Sequence, residues 1–181
     1  MNELSPERTA LARRIYERCY LKGRFRLRSG VVSDEYFDKY LFESDPMLLR
    51  EIAQAMSEFI PADAEALAGI EMGGIPIATV LSQITGLPCL FVRRKAKDYG
   101  TCRLAEGADI AKRNLVVVED VVTLGGQIRE SVKALREGGA TIDQVLCVLD
   151  REMGGVENLT ADGLVLHALF THSQLKQAMA G

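Results

Sequence analysis

Apolar and polar positions along the chain change period several times, and each change marks an element. Near the amino terminus Leu11, Ile15 and Cys19 recur at four-residue steps among charged neighbours. This spacing predicts an amphipathic helix over 7–22, with Ser5 as its cap and Pro6 at its first position. Phe25 and Leu27 then alternate with Arg24, Arg26 and Arg28, so 24–38 is expected to be extended. Leu48, Leu49, Ile52, Ala53 and Met56 fall on one face of a second helix, expected over 46–59 with Asp45 as cap. Beyond it, short apolar runs alternate with helical stretches. Strands are expected at 66–71, 89–93, 115–119 and 145–149, with a weaker one at 164–166. Helices are expected at 75–85 and 126–137, and a long polar loop at 94–112. The run 115–118 is β-branched, apolar and not alternating, as in a strand covered on both faces. Strands separated by helices predict an α/β fold with a mainly parallel central sheet flanked by helices. There is no internal repeat or low-complexity linker, so a single domain over 1–181 is expected.

Composition narrows the function. The 181 residues are 48% hydrophobic and 26% charged, enough for a sizeable core. The net charge of −3 gives no overall basic field, so no nucleic-acid partner is expected. Charge is unevenly distributed, however. Seven basic residues lie between Arg13 and Arg28 against one acid, Glu17, and five lie between Arg93 and Arg103 against Asp98. Such clusters on a mildly acidic chain point to a small, highly anionic ligand. No apolar run approaches the roughly 18 residues of a membrane span, and the first residues have no signal-peptide core. No membrane partner is expected, and the expected location is cytoplasmic. Cys19, Cys89, Cys102 and Cys147 are widely separated and form no zinc or disulfide pattern. Two histidines, His167 and His172, leave little for a histidine metal site or a Ser-His-Asp triad.

In parallel sheets the ligand lies at the carboxyl ends of the strands. After 115–118 comes Glu119-Asp120-Val121-Val122-Thr123-Leu124-Gly125-Gly126-Gln127. Glycines let backbone N–H groups approach a phosphate, and a helix amino terminus adds positive potential. The two acids suit sugar hydroxyls instead, so a sugar phosphate is the expected ligand. Neither a Walker loop nor a dinucleotide fingerprint is present.

This segment resembles the phosphoribosyl-pyrophosphate (PRPP) motif of the type I phosphoribosyltransferases. Four more segments resemble one branch, the orotate phosphoribosyltransferase family: Phe25–Gly30 with Ser33 and Tyr36-Phe37-Asp38, Gly69–Ala78, Arg93–Thr101, and Leu149–Gly155. The five segments stand in family order over about 24–155. The resemblance implies the type I fold, with a small amino-terminal hood over the base formed in part by 1–40. It also implies a pentosyltransferase of pyrimidine biosynthesis that joins orotate to PRPP. Alternatives are transfer to a purine or uracil, and a PRPP-sensing regulator on the same fold.

The family's roles carry over to matching positions. Glu119 and Asp120 would hold the ribose hydroxyls, and Asp120 would stabilise positive charge developing on the ring. Thr123, Leu124, Gly125, Gly126 and Gln127 would form the 5′-phosphate cradle, Val121 and Val122 would also bind PRPP, and Met72, Gly73 and Gly74 would form the pyrophosphate side. Arg93, Arg94, Lys95, Lys97 and Tyr99 belong to the basic loop, with Lys97 and Arg94 catalytic. This loop would neutralise the departing pyrophosphate together with Mg²⁺ and exclude water. Arg94 stands where many members have lysine, and Lys95 is the other candidate for that role. Tyr99 stands where some members have histidine; an ordinary tyrosine titrates near 10, which makes it a poor general acid. Arg28, Arg151 and Thr123 would face orotate, with a guanidinium matched to its carboxylate. Phe25 would stack on the pyrimidine or pack in the core. No metal ligand comes directly from the protein. A homodimer sharing the basic loop across its interface is implied.

Overall fold

In the computed structural model, residues 4–26, 30–95 and 104–180 are described. The first helix, α1 (Pro6–Cys19), is capped by the Ser5 side chain, which accepts from Arg8 N–H. It ends earlier than its apolar spacing predicts. Tyr20 is already extended and begins β1 (Tyr20–Arg26), which pairs antiparallel with β2 (Val32–Phe37). A one-turn helix that the pattern does not announce, α2 (Tyr40–Glu43), leads into α3 (Pro46–Met56). Asp45 caps α3 by accepting from Met47 and Leu48 N–H, an arrangement worth about 1 kcal/mol. The expected last turn of α3 tightens into a 3₁₀ turn over Ser57–Phe59.

The remaining elements are β3 (Ala66–Ile70), α4 (Gly74–Thr85), β4 (Cys89–Val92), β5 (Ala105–Glu106), β6 (Asn114–Val122), α5 (Gly126–Glu137), β7 (Thr141–Asp150), α6 (Gly155–Ala161), β8 (Val165–Thr171) and α7 (His172–Ala180). The sheet order is β5-β4-β3-β6-β7-β8. All neighbours are parallel except the short β5, which runs antiparallel to β4. Three strands, β6, β7 and β8, outrun their predicted lengths because neighbouring strands keep pairing. β6 continues against β7 to Val122↔Asp150, which puts Asp120 as well as Glu119 within the strand. β8 follows β7 to Thr171.

Both faces of the sheet are covered, so alternate residues of each strand enter different cores. Val116, Val118, Leu146 and Val148 pack with α1, α3, α4 and α7, while Leu115, Val117, Val145 and Cys147 pack with Ile128, Val132 and Leu135 of α5 and Leu159 of α6. Helix α7 lies on α1, so the chain's last helix packs beside its first, next to the β1–β2 hairpin. From β3 the chain moves to β4 on one side and returns to β6 on the other. The β3/β6 boundary is therefore the topological switch point, where a ligand crevice is expected.

Candidate active site

The loops at this boundary carry the predicted chemistry. Beyond β6, Thr123 and Leu124 are exposed, and Gly125 adopts a left-handed conformation (φ +74°) that starts α5. A side chain at Gly125 would be strained and would press on Leu159, 3.2 Å away. The Asn158 amide donates to Leu124 C=O at 2.9 Å and steadies the turn. A cavity of about 80 Å³ is lined by Glu119, Val121, Val122, Thr123, Gly125, Gly126, Gln127 and Ile128. The predicted cradle residues are thus brought together apart from Leu124, which projects from the surface. Gln127 lines the cavity while its side chain donates to Ser131 Oγ at 3.3 Å.

Beyond β3, Glu71-Met72-Gly73-Gly74 turns into α4, and the Glu71–Met72 peptide is cis. A Cβ on Gly74 would lie 2.2 Å from Val118 C=O, and one on Gly73 would lie 1.4 Å from Asp120 Oδ2. Only glycines let this loop rest against the acid strand. Glu71 Oε1 accepts from Arg94 N–H at 2.6 Å, tying the loop to the start of the basic segment. Arg94 and Lys95 are exposed, whereas Arg93 pairs with Glu106 of β5 at 3.6 Å. Lys97, Tyr99 and Arg28 lie outside the described residues.

The two acids point into different surroundings. Glu119 lines the small cavity, and its Oε1 accepts from Asp120 N–H at 3.0 Å. Burial, reinforced by Asp120, pushes the Glu119 carboxyl well above the usual carboxylate range. Asp120 is 1% exposed and faces α2. Its Oδ1 accepts from Val121 N–H, and its Oδ2 forms an ion pair with Lys39 Nζ. Burial opposes the Lys39 charge, but attraction to Asp120 and Glu119 outweighs it and holds the ammonium above its ordinary value. Glu43, at the end of α2, completes the group. Burial and then Asp120 push its carboxyl up to about 8. Lys39 and Glu43 carry no motif signal; their four-residue spacing is the one trace of them in the sequence.

A second cavity, about 260 Å³, opens beside the β1–β2 hairpin and is lined by Tyr20, Ser33, Glu35, Tyr36, Phe37, Arg151 and His172. Arg151 N–H donates to Val122 C=O at 2.8 Å, which fixes the end of β7, and so this cavity, to the end of the acid strand. Tyr20 OH and His172 Nδ1 are 2.7 Å apart, and Tyr20 stacks on Tyr16. Phe25 is half-buried against Tyr36, 5.5 Å between ring centres, within the hairpin and not in the core. A larger cavity of about 720 Å³ lies along α5, but two of its cations are already committed. Arg129 pairs with Asp162, and Arg136 with the carbonyls of Ile142 and Asp162.

Residues 43–161 match the model of the phosphoribosyl transferase domain family. The chain is 49% identical to orotate phosphoribosyltransferase of Nocardioides sp. over 160 residues, covering 88% of this chain and 89% of that protein. The chain belongs to the orotate phosphoribosyltransferase family. Another orotate phosphoribosyltransferase, from Methanocella arvoryzae, is 42% identical over 84% of this chain and 87% of its own. Crystal structures of Mycobacterium tuberculosis orotate phosphoribosyltransferase superpose closely. The complex with inorganic phosphate gives a TM-score of 0.84 at 26% identity, covering 95% of this chain and 99% of the other. The complex with PRPP gives 0.81 at 25% identity, covering 94% and 99%. The family's type I fold, a mainly parallel sheet with a separate amino-terminal hairpin, is the architecture found here.

Proposed function

We propose that this chain transfers the phosphoribosyl group of PRPP to orotate, releasing pyrophosphate and orotidine 5′-monophosphate for pyrimidine synthesis. One observation carries the reading. At a single switch point, a phosphate-sized glycine cavity, a buried acid pair and an Arg151-lined hood cavity are joined through one strand end.

In this reading the 5′-phosphate rests on the N–H groups of Thr123–Gln127, favoured by the start of α5. Glu119 and Asp120 take the ribose hydroxyls from below. Gly73 and Gly74 leave room for pyrophosphate beside them. Arg151 and Arg28 meet the orotate carboxylate, the first from the hood cavity. A deprotonated ring nitrogen of orotate forms the new bond to the anomeric carbon, and the bond to the pyrophosphate oxygen breaks with its electron pair. The Asp120 carboxylate lies where positive charge gathers on the ring. Arg94, Lys97 and their neighbours meet the charge on the departing oxygens, and closure of this loop keeps water out. Catalysis of this kind is mostly positioning and electrostatics.

Among the described residues, no group of three His, Cys, Asp or Glu side chains has the spacing to hold an ion. Mg²⁺ arriving with PRPP would neutralise phosphate charge beside Glu119 and Asp120. No described helix is long and apolar enough to cross a membrane. A cytoplasmic homodimer sharing the basic loop completes the proposal.

The test is loss of orotate absorbance with PRPP and Mg²⁺, run beside uracil and hypoxanthine. Turnover of orotate alone is expected. Turnover of hypoxanthine without orotate would overturn the reading.

A further inference from the structure

Asp120 is not alone at the β3/β6 boundary. The helical turn that begins at Lys39 places two side chains over it. Glu43 N–H donates to Lys39 C=O, so the two residues stand one turn apart and on one face. Lys39 Nζ pairs with Asp120 Oδ2. Glu43 Oε1 is buried and accepts no hydrogen bond among the described residues. It also reaches the same spot as Asp120 Oδ2: a Cβ on Gly73 would lie 2.7 Å from the first oxygen and 1.4 Å from the second. Two buried carboxylate oxygens this close repel unless one of them carries a proton. Lys39 supplies one positive charge for three acids, Glu43, Glu119 and Asp120.

We propose that Lys39 and Glu43 are positioning residues for Asp120: Lys39 pairs with that carboxylate and aims it, and Glu43 carries the proton that lets the two acids share the site. The proposal rests on the proposed function only for what Asp120 does to the sugar. The physical need is plain. Asp120 is 1% exposed, and a carboxylate this buried needs a paired cation to hold its place. With the proton on Glu43, Lys39 remains available to pair with Asp120. When Glu43 loses its proton, a second negative charge competes for Lys39 and faces the incoming polyanion.

The charged and titratable surroundings are few. Glu43 faces Asp120 from β6 and Lys39 and Asp38 from its own segment. Lys39 faces Asp120, Glu119 and Tyr40, and its Nζ lies 5.2 Å from the centre of the Tyr40 ring. From α1, Cys19 lies near Asp38, Glu43 and Arg18. Cys147 of β7 lies near Asp150, Glu119 and Asp120. The Gly73 loop contributes backbone only.

The experiment is a pH profile of kcat and of kcat/KM for PRPP, with saturating orotate, for wild type, Lys39→Gln, Lys39→Arg and Glu43→Gln. Wild type should show a fall in kcat/KM centred near the Glu43 transition at about 8. Glu43→Gln should abolish that transition. Lys39→Gln should move it up by about one pH unit and lower kcat by about ten- to a hundredfold. Lys39→Arg should return the midpoint and most of kcat. A merely structural role would scale the profile without moving it, so an unmoved midpoint in Lys39→Gln, or a persisting transition in Glu43→Gln, overturns the proposal. The ¹³C-carboxyl NMR titration of Glu43, assigned with Glu43→Gln, needs no turnover. Its midpoint should rise in Lys39→Gln, and an unmoved one overturns the proposal even if orotate proves to be the wrong base. If Lys39→Gln does not fold, the Glu43→Gln profile decides alone.

Discussion

Gly73→Ala tests the geometry of the site more sharply than removal of any acid, because it leaves every charge in place. A Cβ at this position would lie 1.4 Å from Asp120 Oδ2, 2.4 Å from its Cγ and 2.7 Å from Glu43 Oε1. Real contacts of this kind stop near 3.0 Å, so Asp120 Oδ2 must retreat by roughly 1.6 Å or the loop must lift by as much. Either movement separates Asp120 from Lys39. Breaking a fully buried pair costs about 3–5 kcal/mol; with part of the Lys39 side chain in water, about 1–3 kcal/mol is expected. For a domain of this size that lowers Tm by about 2–12 °C. The catalytic effect should be larger, because a misplacement of about 1 Å in a positioned group costs about a hundredfold in rate. Orotate consumption and a thermal melt, measured on the same preparation, give both quantities. Gly74→Ala is the contrasting case. Its Cβ would meet Val118 C=O at 2.2 Å, a backbone atom that cannot swing aside, so more of its effect should appear in Tm. A Gly73→Ala enzyme with kcat/KM within about threefold of wild type would refute the idea that Asp120 works from this position.

Arg151→Met should raise KM for orotate at least about tenfold, the loss of a charge-assisted hydrogen bond, while KM for PRPP changes little. Steady-state kinetics with each substrate varied in turn checks this, and equal changes in both constants would remove Arg151 from the base pocket. Lys97→Ala should lower kcat by about a hundred- to a thousandfold with an unchanged circular dichroism spectrum, as expected for a donor to a leaving oxyanion. An unchanged rate would assign the basic loop elsewhere. His172 is held below its ordinary value by burial, then by Arg151 and Lys176, so the folded protein prefers it neutral. Acidification charges it in the unfolded chain first, and stability is lost as pH falls below the ordinary histidine value of about 6.5. His172→Asn should therefore narrow the Tm difference between about pH 7.5 and about pH 5.5, and an unchanged difference would contradict that sign. Glu43 carries the opposite trend: its folded value of about 8 lies above the ordinary 4.5. The unfolded chain ionises first as pH rises, so stability falls across that window and levels off above it. Melts of Glu43→Gln across the same range should lack this decline.

What the sequence discloses about the site divides along a physical line. The cradle and the acid pair are legible because their signal is local. A β-branched run gives the strand, Gly125-Gly126 gives the turn, and Glu119-Asp120 falls between them within a dozen residues. The groups that govern the charge of those acids are not legible. Lys39 and Glu43 lie about eighty residues away, before and at the end of a four-residue helix too short to show a period, and meet Asp120 only because α4 and α2 cover the same sheet face. The hood follows the same rule. Its hairpin shows as alternating arginines and aromatics, yet the Tyr20–His172 contact spans 152 residues, and α7 carries no motif. Even within the legible segment the strand boundary is misjudged. β7 prolongs the ladder to Val122, and that extension, a tertiary effect, fixes the backbone beneath Glu119 and Asp120. Residue types that touch a ligand can therefore be read from spacing, whereas residues that set the ionisation and aim of those groups require the fold. Asp120 depends on both kinds, since its charge is useful to the sugar only while α2 holds it in place.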